Sequence, residues 1–124
     1  MTLKKDNKGF TLMEMLIVVA IIAILIAIMI PVFNAQLEKS REAADAANIR
    51  SAYAQVMVSY LDDQKADSEN VTLTQETAGW DNTSLETTLK NLVGDDNYTG
   101  TPAAKGTCTV SVDASGVAKI AFSE

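Results

Sequence analysis

Lys8-Gly9-Phe10-Thr11-Leu12-Met13-Glu14 opens an apolar run that reaches Phe33, and from Met15 to Ile30 every residue is Ile, Leu, Val, Ala or Met. One carboxylate, Glu14, stands just inside the front edge of this run, and Lys4, Lys5 and Lys8 precede it. As a helix, Phe10–Phe33 spans roughly 36 Å, enough to cross a hydrocarbon core of about 30 Å with some tilt. The lysines before the run orient the segment with its leader in the cytoplasm and the remainder outside. A secretory signal has a shorter apolar core and a small-residue cleavage site after it. This run ends in Ile30-Pro31-Val32-Phe33 instead. A plain single-pass anchor fits the length but leaves Glu14 without a reason. A carboxylate at a bilayer centre costs about 2.5–3.5 kcal/mol, and less near the edge, so it marks a functional candidate.

The rest of the chain excludes several kinds of chemistry. At 124 residues it is one domain's worth of sequence at most, and the part after Phe33 has room for only a modest core. The segment from Asn34 to Glu124 carries 7 basic and 14 acidic residues, the opposite of a nucleic-acid-binding face, so no nucleic-acid contact is expected. With no histidine, His-based triads and His-ligated metal sites are ruled out. The single cysteine, Cys108, forms no intrachain disulfide and reads as a small buried hydrophobe. Asp62-Asp63, Asp67 with Glu69, and Asp95-Asp96 lack the spacing of a Ca²⁺ loop and read as solvated loop charge. Asn70-Val71-Thr72, Asn82-Thr83-Ser84 and Asn97-Tyr98-Thr99 read as chance sequons. Neither a cofactor nor a catalytic constellation is expected. A membrane-anchored enzyme would need converging titratable groups, and none is visible.

The residues from Lys8 to Val19 resemble the class III leader and N-terminal helix of type IV pilins, with the likeness running from about Lys4 to Leu37. The resemblance implies a type IV pilin-like α+β fold and a structural role. It implies that a prepilin peptidase cuts between Gly9 and Phe10 and methylates the new Phe10 amine. Glu14 then becomes the fifth residue of the mature chain. There it meets the amine of a neighbouring subunit, because two buried opposite charges are costly apart and far less so when paired. The implied function is a major or abundant subunit of a type IV pilus. The alternative is a pseudopilin of a type II secretion or competence DNA-uptake system. The implied partners are other pilin subunits, the prepilin peptidase, the pilus assembly platform with its ATPase, and membrane lipid before assembly. The implied locations are the cytoplasmic membrane first and an extracellular filament afterwards. The sequence departs from the family pattern twice. Ala23 occupies the place of a glycine that many pilins have upstream of the proline. Cys108 is alone where many pilins staple the C-terminal region, a departure commoner in Gram-positive members.

Four segments are expected: a cleaved leader at 1–9, a transmembrane and filament-core helix at 10–33, its amphipathic continuation at 34–61, and a small head at 62–124. Asn34–Leu61 contains neither Gly nor Pro, and Ile49, Tyr53, Val56 and Tyr60 recur on one helical face, which should be core. One helix is therefore expected over about 11–61, bent at Pro31, which has no amide hydrogen and crowds the preceding turn. Asp62–Trp80 reads as a polar connection, mobile or carrying a short strand at Val71-Thr72-Leu73. Thr83-Ser84-Leu85-Glu86 has the form of a capping box and starts a short helix over about Ser84–Val93, with Gly94 as its stop. Thr107–Val112, the turn Asp113–Gly116 and Val117–Phe122 make a β-hairpin or small antiparallel sheet. A hairpin is marginal alone, so it should pack on the second half of the long helix.

Overall fold

The computed structural model describes residues 3–124, with side chains from Thr11 onward. Its first element, α1, is a single α-helix over Leu3–Asp63, running two residues past the expected end. Pro31 lies inside it, and the helix continues on both sides. The chain divides into two compact units, Met1–Gln36 and Leu37–Glu124, and each is described in its own right. The first is helix alone. The second contains the rest of α1 and an α+β head.

The head is built on a four-stranded sheet and one short helix. In chain order its elements are β1 (Asp67–Thr72), α2 (Thr83–Val93), a 3-10 turn at Asp95–Asn97, β2 (Tyr98–Thr99), β3 (Thr107–Val112) and β4 (Ala118–Ser123). The strand order is β1-β3-β4-β2. β3 and β4 form the expected hairpin, antiparallel, with Val110 opposite Ile120. The alternation in β3 resolves as the sequence implies: Cys108, Val110 and Val112 are buried, and the residues between them are only partly so. Burial pushes the Cys108 thiol up to about 12, which keeps it an un-ionised core side chain.

Three expectations are corrected. The sheet is mixed rather than antiparallel, because β2 pairs parallel to β4 through Tyr98–Ile120 and Thr99–Ala121. No local pattern marks Tyr98-Thr99 as a strand; the pairing follows burial of the Tyr98 ring, which meets Phe122 edge-on at 5.4 Å. The connection after α1 holds a full six-residue strand, β1, that starts well before Val71 and pairs antiparallel with β3 from Asp67–Val112 to Thr72–Thr107. Leu73 follows that strand rather than lying in it, and is buried. The cap of α2 is Asn82, not Thr83: its side-chain oxygen accepts from the Ser84 amide at 3.0 Å. Glu86 reaches forward instead, pairing with Lys90 at 3.0 Å, so no capping box forms. Gly94 ends α2 as expected, with a φ of 88° and its N–H donated to the Lys90 carbonyl.

The core lies between the later part of α1 and the sheet, with α2 closing one end. Ile49 and Val56 are buried, and Tyr53 and Tyr60 flank them half-buried; Ala46 and Ala52 complete the buried stripe. Leu73, Leu89, Val110, Val112 and Ile120 meet this stripe. The β3–β4 turn docks on the same helix, because Gly116 (φ 88°) leaves room for Tyr60, whose ring lies 3.1 Å from where a Cβ would stand. The Tyr60 hydroxyl donates to the Ala114 carbonyl at 3.4 Å.

Candidate functional site

Two features of α1 stand out, one in each unit. In the first, every residue from Thr11 to Gln36 is exposed. Seventeen large apolar side chains between Leu12 and Phe33 are 48–76% exposed. Removing one such side chain from water is worth about 1.5–3 kcal/mol, so this surface is a strong demand for lipid or for other protein chains. The segment is the one helix among the described residues long and apolar enough to cross a membrane. Glu14 lies in it, exposed, near its start. Its burial would have to come from outside the single chain. Gly9 and Phe10, the expected cleavage junction, lie outside the residues whose side chains are described.

In the second unit, α1 carries two long stripes. Glu38, Glu42, Asp45, Ile49, Ala52 and Val56 recur at spacings of four and three, and all are buried. The upper half of the stripe is therefore acidic and the lower half apolar. Of the three carboxylates only Glu38 has an ion-pair partner among the described residues, Arg41. All three accept hydrogen bonds from the backbone of the segment Thr74–Asn82. Asp45 takes the Thr74 and Gln75 amides at 2.9–3.0 Å and the Thr74 hydroxyl at 2.7 Å. Glu38 takes the Glu76 and Thr77 amides at 3.0–3.1 Å and the Thr77 hydroxyl at 2.9 Å. Glu42 takes the Asp81 amide at 2.7 Å and the Asn82 amide at 3.3 Å. Arg41 bridges Glu38 at 3.5 Å and Glu76 at 3.2 Å. Burial pushes the Glu38 carboxyl up, but the bonds from Glu76, Thr77 and Arg41 outweigh it and hold the group below its usual value.

Sequence reasoning missed this arrangement and left Asp62–Trp80 free to be mobile. A signal was available: Glu38, Glu42 and Asp45 continue the heptad spacing of Ile49 and Val56, so they had to face the head. Acids at core-facing positions imply amide donors opposite them.

The opposite stripe of the same helix is Ser40, Ala44, Ala47, Ser51 and Ala54, closed by Val58 and Leu61, again at spacings of four and three and all exposed. Small side chains at this period let a second helix approach closely.

Comparison with known proteins bears on the first unit. Residues 4–30 match the family model described as the prokaryotic N-terminal methylation motif. The chain thus carries the class III leader that type IV pilins and pseudopilins share, and with its long helix and α+β head it has a pilin-like fold. The match supports a type IV pilin-like or pseudopilin protein, and a leader of this class implies processing by prepilin peptidase. No curated protein and no solved structure matches the chain.

Proposed function

We propose that this protein is a major or abundant structural subunit of a type IV pilus. The observation that carries the reading is the first unit: a methylation-motif leader joined to an apolar helix with no buried residue among those described. Such a helix is satisfied first by lipid and then by copies of itself. The Ala/Ser stripe of α1 supports the same reading, since it offers a close-packing seam on the face turned away from the head.

In this proposal the leader faces the cytoplasm, and prepilin peptidase cleaves between Gly9 and Phe10 and methylates the Phe10 amine. That α-amino group has an ordinary pKa near 7.7–8.0, so it is largely charged. A stagger of about one helical turn between subunits brings Glu14 of one against Phe10 of another. Pairing removes the penalty each charge carries alone in apolar surroundings. Pro31 supplies a bend that lets the apolar half follow the filament axis. The assembly platform and its ATPase lift subunits from the membrane.

The pseudopilin alternative shares the leader and the helix, and filament length in electron micrographs of sheared cells separates the two. The test of the shared reading is Gly9→Val. Unprocessed chain is expected to accumulate and filaments to vanish, while the native chain gives a mature mass beginning at methylated Phe10. A native chain of unprocessed mass, or a variant cleaved as usual, overturns it.

A further inference from the structure

The carboxylate ladder does more than add contacts. Three acids on three successive turns of α1 satisfy six backbone amides of a segment that has no regular structure of its own. An ionised carboxylate is an acceptor only. A protonated one loses acceptor capacity and gains a hydrogen that must find an acceptor, here opposite a row of N–H donors. A row of six N–H donors therefore suits acceptor-only side chains.

We infer that Glu38, Glu42 and Asp45 form an acid-released latch that holds the segment Thr74–Asn82 on α1 at neutral pH and lets it go on acidification. This goes beyond the filament reading and does not depend on it. The charged groups facing the ladder are few. Arg41 comes from α1 itself and Glu76 from the segment, the two being joined at 3.2 Å. Asp81 gives Glu42 its amide while its own side chain is exposed. Among the described residues no cation pairs with Glu42 or Asp45. The latch thus rests on amide donors, which do not titrate. The sign follows from Glu38: its carboxyl is held below the ordinary glutamate range by the amide, hydroxyl and Arg41 bonds, so its contribution is present at neutral pH and is lost as pH falls below that range.

Release has a defined consequence. The segment carries Trp80, whose Nε1 donates to the Tyr98 hydroxyl at 2.7 Å and whose ring meets Phe122 edge-on at 6.1 Å. Freeing the segment withdraws Trp80 and uncovers the Tyr98 and Phe122 rings, turning a closed aromatic corner into an exposed apolar surface. The rest of the sheet keeps its strand pairing.

Trp80 is the only tryptophan in the chain, so it reports on the latch directly. The full chain in a zwitterionic detergent is titrated from pH 7 to pH 2.5 while tryptophan emission and far-ultraviolet circular dichroism are recorded. The expected result is a red shift of Trp80 emission on the acid side of the ordinary glutamate range while the helical signal persists. Glu42→Gln is expected to show the red-shifted emission already at pH 7. Glu69→Gln, an exposed carboxylate on β1, is expected to titrate like the native chain. Flat emission across the range overturns the latch. So does a shift that coincides with loss of the helical signal, or an equal effect of Glu69→Gln. Should Glu42→Gln not fold, hydrogen exchange on the native chain decides instead. At pH 2.5, the acid end of the titration, the amides of Thr74–Thr77 are expected to lose protection while those of Val110 and Ile120 keep it; equal protection at both places overturns the inference.

Discussion

Glu14 and Glu38 are both glutamates on α1, and their surroundings within the chain are opposite. Glu38 is satisfied within its own chain by two amides, a hydroxyl and Arg41. Glu14 is exposed on an apolar flank, and in the filament proposal its partner is the amine of another copy. Removing one member of a buried pair typically costs about 3–5 kcal/mol. Glu14→Ala should therefore still be cleaved after Gly9 but should lower filament yield by about a hundredfold to a few thousandfold, since each 1.4 kcal/mol is a factor of ten. Quantifying sheared filaments against total processed subunit checks this, and a normal yield removes the charge-pair argument. The oddity of Glu14 was legible, a charge where hydropathy forbids one. That of Glu38 was not, because a glutamate in Leu37-Glu38-Lys39 looks like any solvated helix position until the segment opposite it is placed.

At the scale of elements, α1 and β3 were legible because each repeats one period long enough to be read. α2 was legible in extent but not in its cap. Thr83 and Glu86 satisfy the local pattern of a capping box, yet Asn82 takes the position because Glu42 already holds the Asn82 and Asp81 amides and so sets where the chain turns into the helix. A long-range bond overrides a local preference of about 1 kcal/mol. Asn82→Ala should thus destabilise the head by about 1 kcal/mol, lowering its thermal midpoint by roughly 4–8 °C. Thr83→Ala should leave the midpoint nearly unchanged. Circular dichroism melts of the two variants check the assignment, and a larger loss from Thr83→Ala would return the cap to Thr83. β1 escaped the sequence because Asp67, Ser68, Glu69 and Asn70 have little preference for strands; they are extended because β3 offers a partner over six residues.

The whole molecule separates a surface that needs company from a head that does not. The second unit has its own core, its own sheet and the acidic ladder, all within Leu37–Glu124. The first has no buried residue among those described. A chain beginning at Asn34 should therefore be soluble without detergent, fold cooperatively with mixed α and β circular dichroism, and neither associate with membranes nor form filaments. Analytical ultracentrifugation and thermal melting check this, and an aggregated or unfolded fragment would show that the head leans on the apolar half. The amino-acid sequence by itself determined the leader motif, the reach and greasiness of the first half of α1, the isolated Glu14 and the β3–β4 hairpin. Each is written in neighbouring residues or in a short period that local physics reads. Only the tertiary structure decided the mixed sheet, the strand at Tyr98-Thr99, the cap at Asn82 and the burial of Glu38, Glu42 and Asp45. Those depend on which backbone donors and acceptors are brought together from residues some twenty to forty positions apart in the chain, as the pairing of Tyr98 with Ile120 and the bonds from Thr74 to Asp45 and from Asn82 to Glu42 show.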